Sequence, residues 1–162
     1  MADGRLLGIY LNDHLALATV AARLARRMHK ANTDTDLGRT LDRLAVELEE
    51  ERGDVVHVIE ALGHRRSRVK PAAAAVGERI GLLKLNGRLT SYSPLSRVLE
   101  LEGLAALLGF NLSLWRTLQE TKPIAARLEG VIDLDRLAAR AEERRSQVDR
   151  FRPDAARAAF LG

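Results

Sequence analysis

One apolar seam constrains this chain more than any other feature. Leu37, Leu41, Leu44, Leu48, Val55, Val58 and Leu62 recur at the three- and four-residue spacing that lines up side chains on one face of an α-helix. Thr35 precedes the seam as a cap and Gly63 follows it as a stop, which predicts a helix that begins near Asp36 and is stopped by Gly63. Such a stripe cannot be buried by the helix that carries it, so other helices must cover it. The same periodicity predicts a first helix over Arg5 to Ala31, closed by the polar turn Asn32, Thr33, Asp34, Thr35. Ser93 followed by Pro94 opens a helix running to about Gln119 that is apolar on nearly every side and therefore belongs at the centre. Asp133 caps a last long helix bearing Leu134, Leu137, Ala141, Val148 and Phe151, and Pro153 ends or kinks it before a short tail helix. Between the two pairs lie a basic loop, a short helix from Pro71 to about Lys84 and a turn at Asn86 and Gly87. Residues 124–133 have no clear pattern.

Composition agrees with an all-α class. Alanine, leucine, arginine and glutamate dominate, β-branched and aromatic residues are scarce, and there are only 4 prolines. Residues 1–162 are expected to form a single domain. The absence of cysteine excludes disulfides, thiolate metal sites and cysteine nucleophiles and suits a reducing compartment, so the expected location is cytoplasmic. The start of the chain has no basic stretch followed by an apolar run, and the most apolar segment, 98–118, carries Glu100, Glu102 and Asn111; neither export nor membrane spanning is expected.

Twenty-six basic side chains against 22 acidic ones leave a net charge of +4. The densest basic runs are Arg23, Arg26, Arg27, His29 and Lys30, and then His64, Arg65, Arg66, Arg68 and Lys70. Both fall at ends of predicted helices, where cations complement the helix dipole. Neither carries interleaved aromatic residues or forms one contiguous stripe, so nucleic acid is not the expected partner. No Gly-rich phosphate loop, His-Glu-x-x-His or nucleophile elbow is present, and His14, His29, His57 and His64 lack metal-ligand spacing.

The informative residues are ionisable groups with apolar neighbours at i±3 and i±4, the positions that share a helix face. Asp13 has Ile9, Tyr10, Ala16 and Leu17; Glu51 fills a seam position between Leu48 and Val55, and Asp54 follows toward Val58. Glu102 has Val98, Leu99, Ala105 and Ala106; Glu142 follows Ala138 and Ala139; Arg145 stands between Ala141 and Val148. Carboxylates buried without partners would be prohibitive, so metal ions, shared protons or the fork of the Arg145 guanidinium must compensate them. Blander readings stand beside these. His14 among Tyr10, Leu11, Leu17 and Ala18 reads as a packed side chain, Glu47, Glu49 and Glu50 as a solvated face, Glu142 and Arg145 as a surface pair, and Asn111 with Trp115 as packing on one helix face.

Four long helices with short links inside each pair and a long link between pairs predict one crossover. With the inward acids, this pattern resembles the ferritin-like di-iron carboxylate superfamily, which sets one Glu on each of two helices and a Glu-x-x-His on each of the others. The resemblance implies a ferritin-like four-helix bundle with a long crossover and a short extra helix. It places the lone glutamates at Asp13 and Glu102, the first Glu-x-x-His at Glu51 and Asp54, and the second at Glu142 and Arg145. Both histidines are missing, and a cation at Arg145 would repel iron or manganese. The expectation is a degenerate member without metal or other cofactor, in which these six residues form a buried polar cluster. Such a protein would be non-catalytic, acting as a homodimer or by binding another protein or a small apolar ligand. The alternative is a divergent iron- or manganese-dependent carboxylate oxidase or iron-handling protein.

Overall fold

Side-chain caps set the helix boundaries. In the computed structural model, which describes residues 4–67 and 92–162, α1 (Gly4–Ala31) passes to α2 (Asp36–Ala61) through the turn 32–35. Thr35 Oγ1 donates to the Asn32 carbonyl at 2.7 Å and accepts from the Gly38 N–H at 3.0 Å, which satisfies one of the otherwise unpaired amides at the start of α2. The turn lies directly on Gly38: a Cβ there would stand 1.8 Å from the Asn32 carbonyl oxygen. Gly63, at φ +76°, ends α2 in the left-handed conformation that costs glycine least. Ser93 Oγ accepts from the Ser96 N–H at 3.1 Å to open α3 (Pro94–Glu120), and Asp133 accepts from the Arg136 N–H at 2.9 Å to open α5 (Leu134–Asp149). Between them the stretch without a clear pattern contains α4 (Lys122–Leu128), and past the kink near Pro153 comes α6 (Arg152–Phe160). No strand occurs among the described residues. The short helix from Pro71 and the turn at Asn86 and Gly87 lie outside them.

Cross-helix pairs give the directions. Arg27 pairs with Glu100 at 2.8 Å and the ring of His14 lies 6.5 Å from that of Phe110, so α1 and α3 run antiparallel. Arg140 meets Glu50 and Arg150 meets Thr40, which makes α5 antiparallel to α2. Arg116 with Glu142 and Gln119 with Asp135 make it antiparallel to α3 as well. The helix α1 packs on α2 and α3, and α5 packs on α3 and more lightly on α2. This leaves α2 and α3 parallel and diagonal to each other, so the end of α2 and the start of α3 lie at opposite ends of the fold. By length and composition α3 is apolar enough to cross a bilayer, yet Leu104, Leu108, Leu114 and Trp115 on it are fully buried among the other helices.

The apolar interior is divided in two. One cluster holds Ala21 to Met28, Leu37 to Leu48, Val98 to Leu108, Val148 and Ala155. The other holds Leu11, Val55 to Leu62, Leu112 to Leu118, Leu128, and Leu134 to Ala141. Each long helix crosses from one cluster to the other at mid-height, and on α2, α3 and α5 a buried polar residue stands at the crossing.

The two glycines of α2 are expected to respond with opposite signs. Gly38→Ala should lower stability by about 1–3 kcal/mol, because the new methyl must displace the Asn32 backbone. Gly53→Ala, which meets nothing within 4 Å, should raise it by roughly 0.5–1 kcal/mol through helix propensity. Urea unfolding of the two variants measures both.

Candidate functional site

The side chains between the two apolar clusters are Glu51 from α2, Asn111 from α3 and Arg144 from α5, with His14 from α1 near the same level, all buried. Each stands about ten residues, or ~15 Å, from the same end of the fold. Glu51 is the hub, with 0% exposure. Its Oε1 accepts from Trp115 Nε1 at 2.7 Å and its Oε2 from Asn111 Nδ2 at 3.0 Å. Arg144 NH1 stands 3.1 Å from the same Oε2, close enough for an ion pair although its N–H is poorly aimed for a hydrogen bond. Arg144 Nε donates to Glu47 Oε2 at 3.0 Å, so one guanidinium serves one acid at the axis and another nearer the surface.

This arrangement solves the cost of burial. An ionised carboxylate without water needs a counter-charge and donors on both oxygens, and hydrogen bonds to a charged acceptor are worth about 1.5–3 kcal/mol each. Glu51 has one donor on Oε1, another on Oε2, and a cation beside the second. Asn111 turns its amide nitrogen to Glu51 and leaves its Oδ1 buried without a partner. His14 packs edge-on to Tyr10 at 4.5 Å, and its Nδ1 also lacks a partner. Burial pushes the His14 pKa down, and the Asp13 carboxylate opposes that shift only in part.

Of the six residues singled out from sequence, Glu51 alone lies fully inside. Asp13 and Asp54 are half-buried on the flanks. At Asp54 burial raises the carboxyl pKa against the lowering influence of Arg136, Arg140, Arg144 and His57. Glu102 is exposed, and Glu142 is exposed and pairs with Arg116 at 2.6 Å. Arg145 does not point inward: it is 47% exposed and lies 4.0 Å from Asp149 on its own helix. The residue that enters the core is its neighbour Arg144. The expected six-residue cluster is therefore corrected to Glu51 with Trp115, Asn111 and Arg144.

The reason is rotational. Adjacent helix residues are about 100° apart yet share half of their i±3 and i±4 neighbours, so Ala141 and Val148 flank position 144 as well as position 145. A stricter signal was available. On each long helix the apolar residues alternate by three and four: Leu11, 14, Ala18, Ala21 on α1; Leu48, 51, Val55, Val58 on α2; Leu104, Leu108, 111, Trp115 on α3; Leu137, Ala141, 144, Val148 on α5. The one polar member of each series is His14, Glu51, Asn111 or Arg144.

Chemically, the layer is closed. Any metal ion at Glu51 would have to displace Trp115, Asn111 or Arg144 and then face the Arg144 charge. Among the described residues no three His, Asp or Glu side chains are grouped so as to hold a metal. Comparison of the chain with family models, with curated proteins and with solved structures returns no match.

The lowered pKa of His14 fixes the sign of a pH effect. The unfolded chain binds the His14 proton more readily than the fold does, so stability contributed by neutral His14 is present above its ordinary pKa of 6.5 and is lost as pH falls below it. Urea midpoints at pH 7 and pH 5 are expected to fall further for the native chain than for His14→Gln; equal falls in the two proteins would contradict the assignment.

Proposed function

We propose that this chain is a ferritin-like four-helix bundle in which a fixed guanidinium occupies the place of a metal centre. In this reading it works without catalysis, by binding a protein partner or a second copy of itself. The observation that carries the proposal is the saturation of Glu51 by Trp115, Asn111 and Arg144 at the level where the four long helices converge. In di-iron bundles the inward carboxylates of that level are available to ions. Here the single fully buried carboxylate among the described residues already has its counter-charge.

Topology supports the same reading. The helices α2 and α3 run parallel across the diagonal, with α1 and α5 antiparallel to both, as one long crossover between two helical hairpins requires. Asp13, Glu102 and Glu142 scatter over flanks and surface, and Glu47, which shares Arg144 with Glu51, is already paired, which disfavours the alternative, a divergent carboxylate oxidase. Apolar side chains on the outside, among them Leu6, Ile9, Leu95 and Phe110, favour action at the surface over an internal apolar ligand. Two-fold self-association is the commonest form such action takes, and the cysteine-free sequence suits the cytoplasm.

Metal analysis of protein produced with excess iron and manganese tests the proposal. Substoichiometric metal, unchanged in Glu51→Ala, is the expected result. One or two ions per chain, lost in Glu51→Ala, would overturn it in favour of the oxidase.

A further inference from the structure

At the end of the fold where α2 begins, its first two turns face the junction of α5 and α6 across an open groove of about 730 Å³. That volume falls within the roughly 300–1,000 Å³ usual for small-molecule sites. Three arginines line the groove, Arg39, Arg43 and Arg150, together with Thr40 and Phe151. Asp36 and Asp154 also face it, but each is engaged within its own helix, Asp36 by Arg39 and Asp154 by Arg157. Among the described residues Arg43 and Arg150 have no carboxylate partner. Two arginines are therefore without an ion pair in a groove whose lining carries three arginines against two aspartates.

Arg150 is held in place without an acid. One of its terminal nitrogens donates to Thr40 Oγ1 at 3.4 Å, and its guanidinium lies over the Phe151 ring, 4.8 Å from the centroid. Thr40 is itself buried, so the hydroxyl is a fixed point on the groove floor. A guanidinium oriented in advance loses little entropy on binding and presents a planar fork that matches two oxygens of one anion. The start of the 26-residue helix α2 adds the positive end of its dipole to the same place.

The geometry points to a binding site in this groove for a small phosphoryl-bearing dianion, held between Arg43 and Arg150 with the ring of Phe151 as an apolar wall. The inference goes beyond the proposed function and does not depend on the central ion pair, since none of these residues belongs to the mid-height layer. Two guanidinium groups free of ion pairs can each engage phosphoryl oxygens, which suit the arginine fork.

Amide and arginine side-chain NMR shifts of the full chain, titrated with inorganic phosphate and with pyrophosphate at constant ionic strength, test it. Saturable shifts confined to residues 36–43 and 149–155 are expected. Arg150→Gln and Arg43→Gln should each weaken binding about tenfold, as loss of one charged hydrogen bond implies. Arg23→Gln, on an exposed arginine that does not line the groove, should leave it unchanged. Shifts spread over every basic face, an equal loss in Arg23→Gln, or no binding of either anion would overturn the assignment. A parallel titration with a short single-stranded oligonucleotide separates the sources of phosphate. Tighter binding of the oligonucleotide, with shifts extending along Arg23, Arg26 and Lys30, would replace the small-anion site by a nucleic-acid surface.

Discussion

A carboxylate at the centre of the fold, shut off from water, sets the terms for everything around it. Glu51 has no exposure, so its charge has to be met from inside. Arg144 meets it from α5, Trp115 and Asn111 meet it from α3, and these contacts tie three helices at one level. A buried ion pair contributes little net stability compared with well-packed apolar residues, because desolvation of both charges offsets their attraction. Its effect here is on register. The seams above and below are leucine-rich and would tolerate a slip of seven residues, whereas a slipped Glu51 would face an apolar side chain with no counter-charge, at a cost of about 3–5 kcal/mol.

Stability and specificity are thus divided between different parts of the molecule. The two apolar clusters supply the bulk of the burial, while the polar layer between them selects one alignment. Ion pairs on the outside add little, since exposed pairs are typically worth 0–1 kcal/mol. They do mark the faces: Arg26 with Glu49 spans α1 and α2, Arg140 with Glu50 spans α2 and α5, and Arg116 with Glu142 spans α3 and α5. Between α1 and α3 the pair of Arg27 and Glu100 lies toward one end, and Phe110 stands half exposed beside His14 nearer the middle.

Much of the fold is legible in the sequence because capping and periodicity are local. Thr35, Ser93 and Asp133 cap the helices they precede, and Gly63 ends the one it follows. Glu51 is legible too, as the polar gap in an otherwise apolar seam. The partners of Glu51 are harder to read for two reasons. Neutral residues such as Asn111 look like ordinary packing until a charge is known to lie opposite them. On α3, apolar on nearly every side, and on α5, with adjacent arginines at 144 and 145, a test based on apolar neighbours accepts two consecutive positions, and only unbroken alternation of threes and fours separates them. That is why Arg145 and Glu102 satisfy the neighbour test and still lie outside, one residue away from the inward Arg144 and Leu101.

The direct test of the central ion pair is a double-mutant cycle between positions 51 and 144, with stability read from urea unfolding. Arg144→Met should cost about 3–5 kcal/mol, because it leaves Glu51 buried without its counter-charge, and Glu51→Leu should cost less, because Arg144 keeps Glu47. Combined, they should cost less than the sum of the two, by a coupling energy toward the upper end of the 0.5–3 kcal/mol range seen for contacting residues. Additive losses, or an Arg144→Met effect no larger than that of an exposed arginine, would contradict the account.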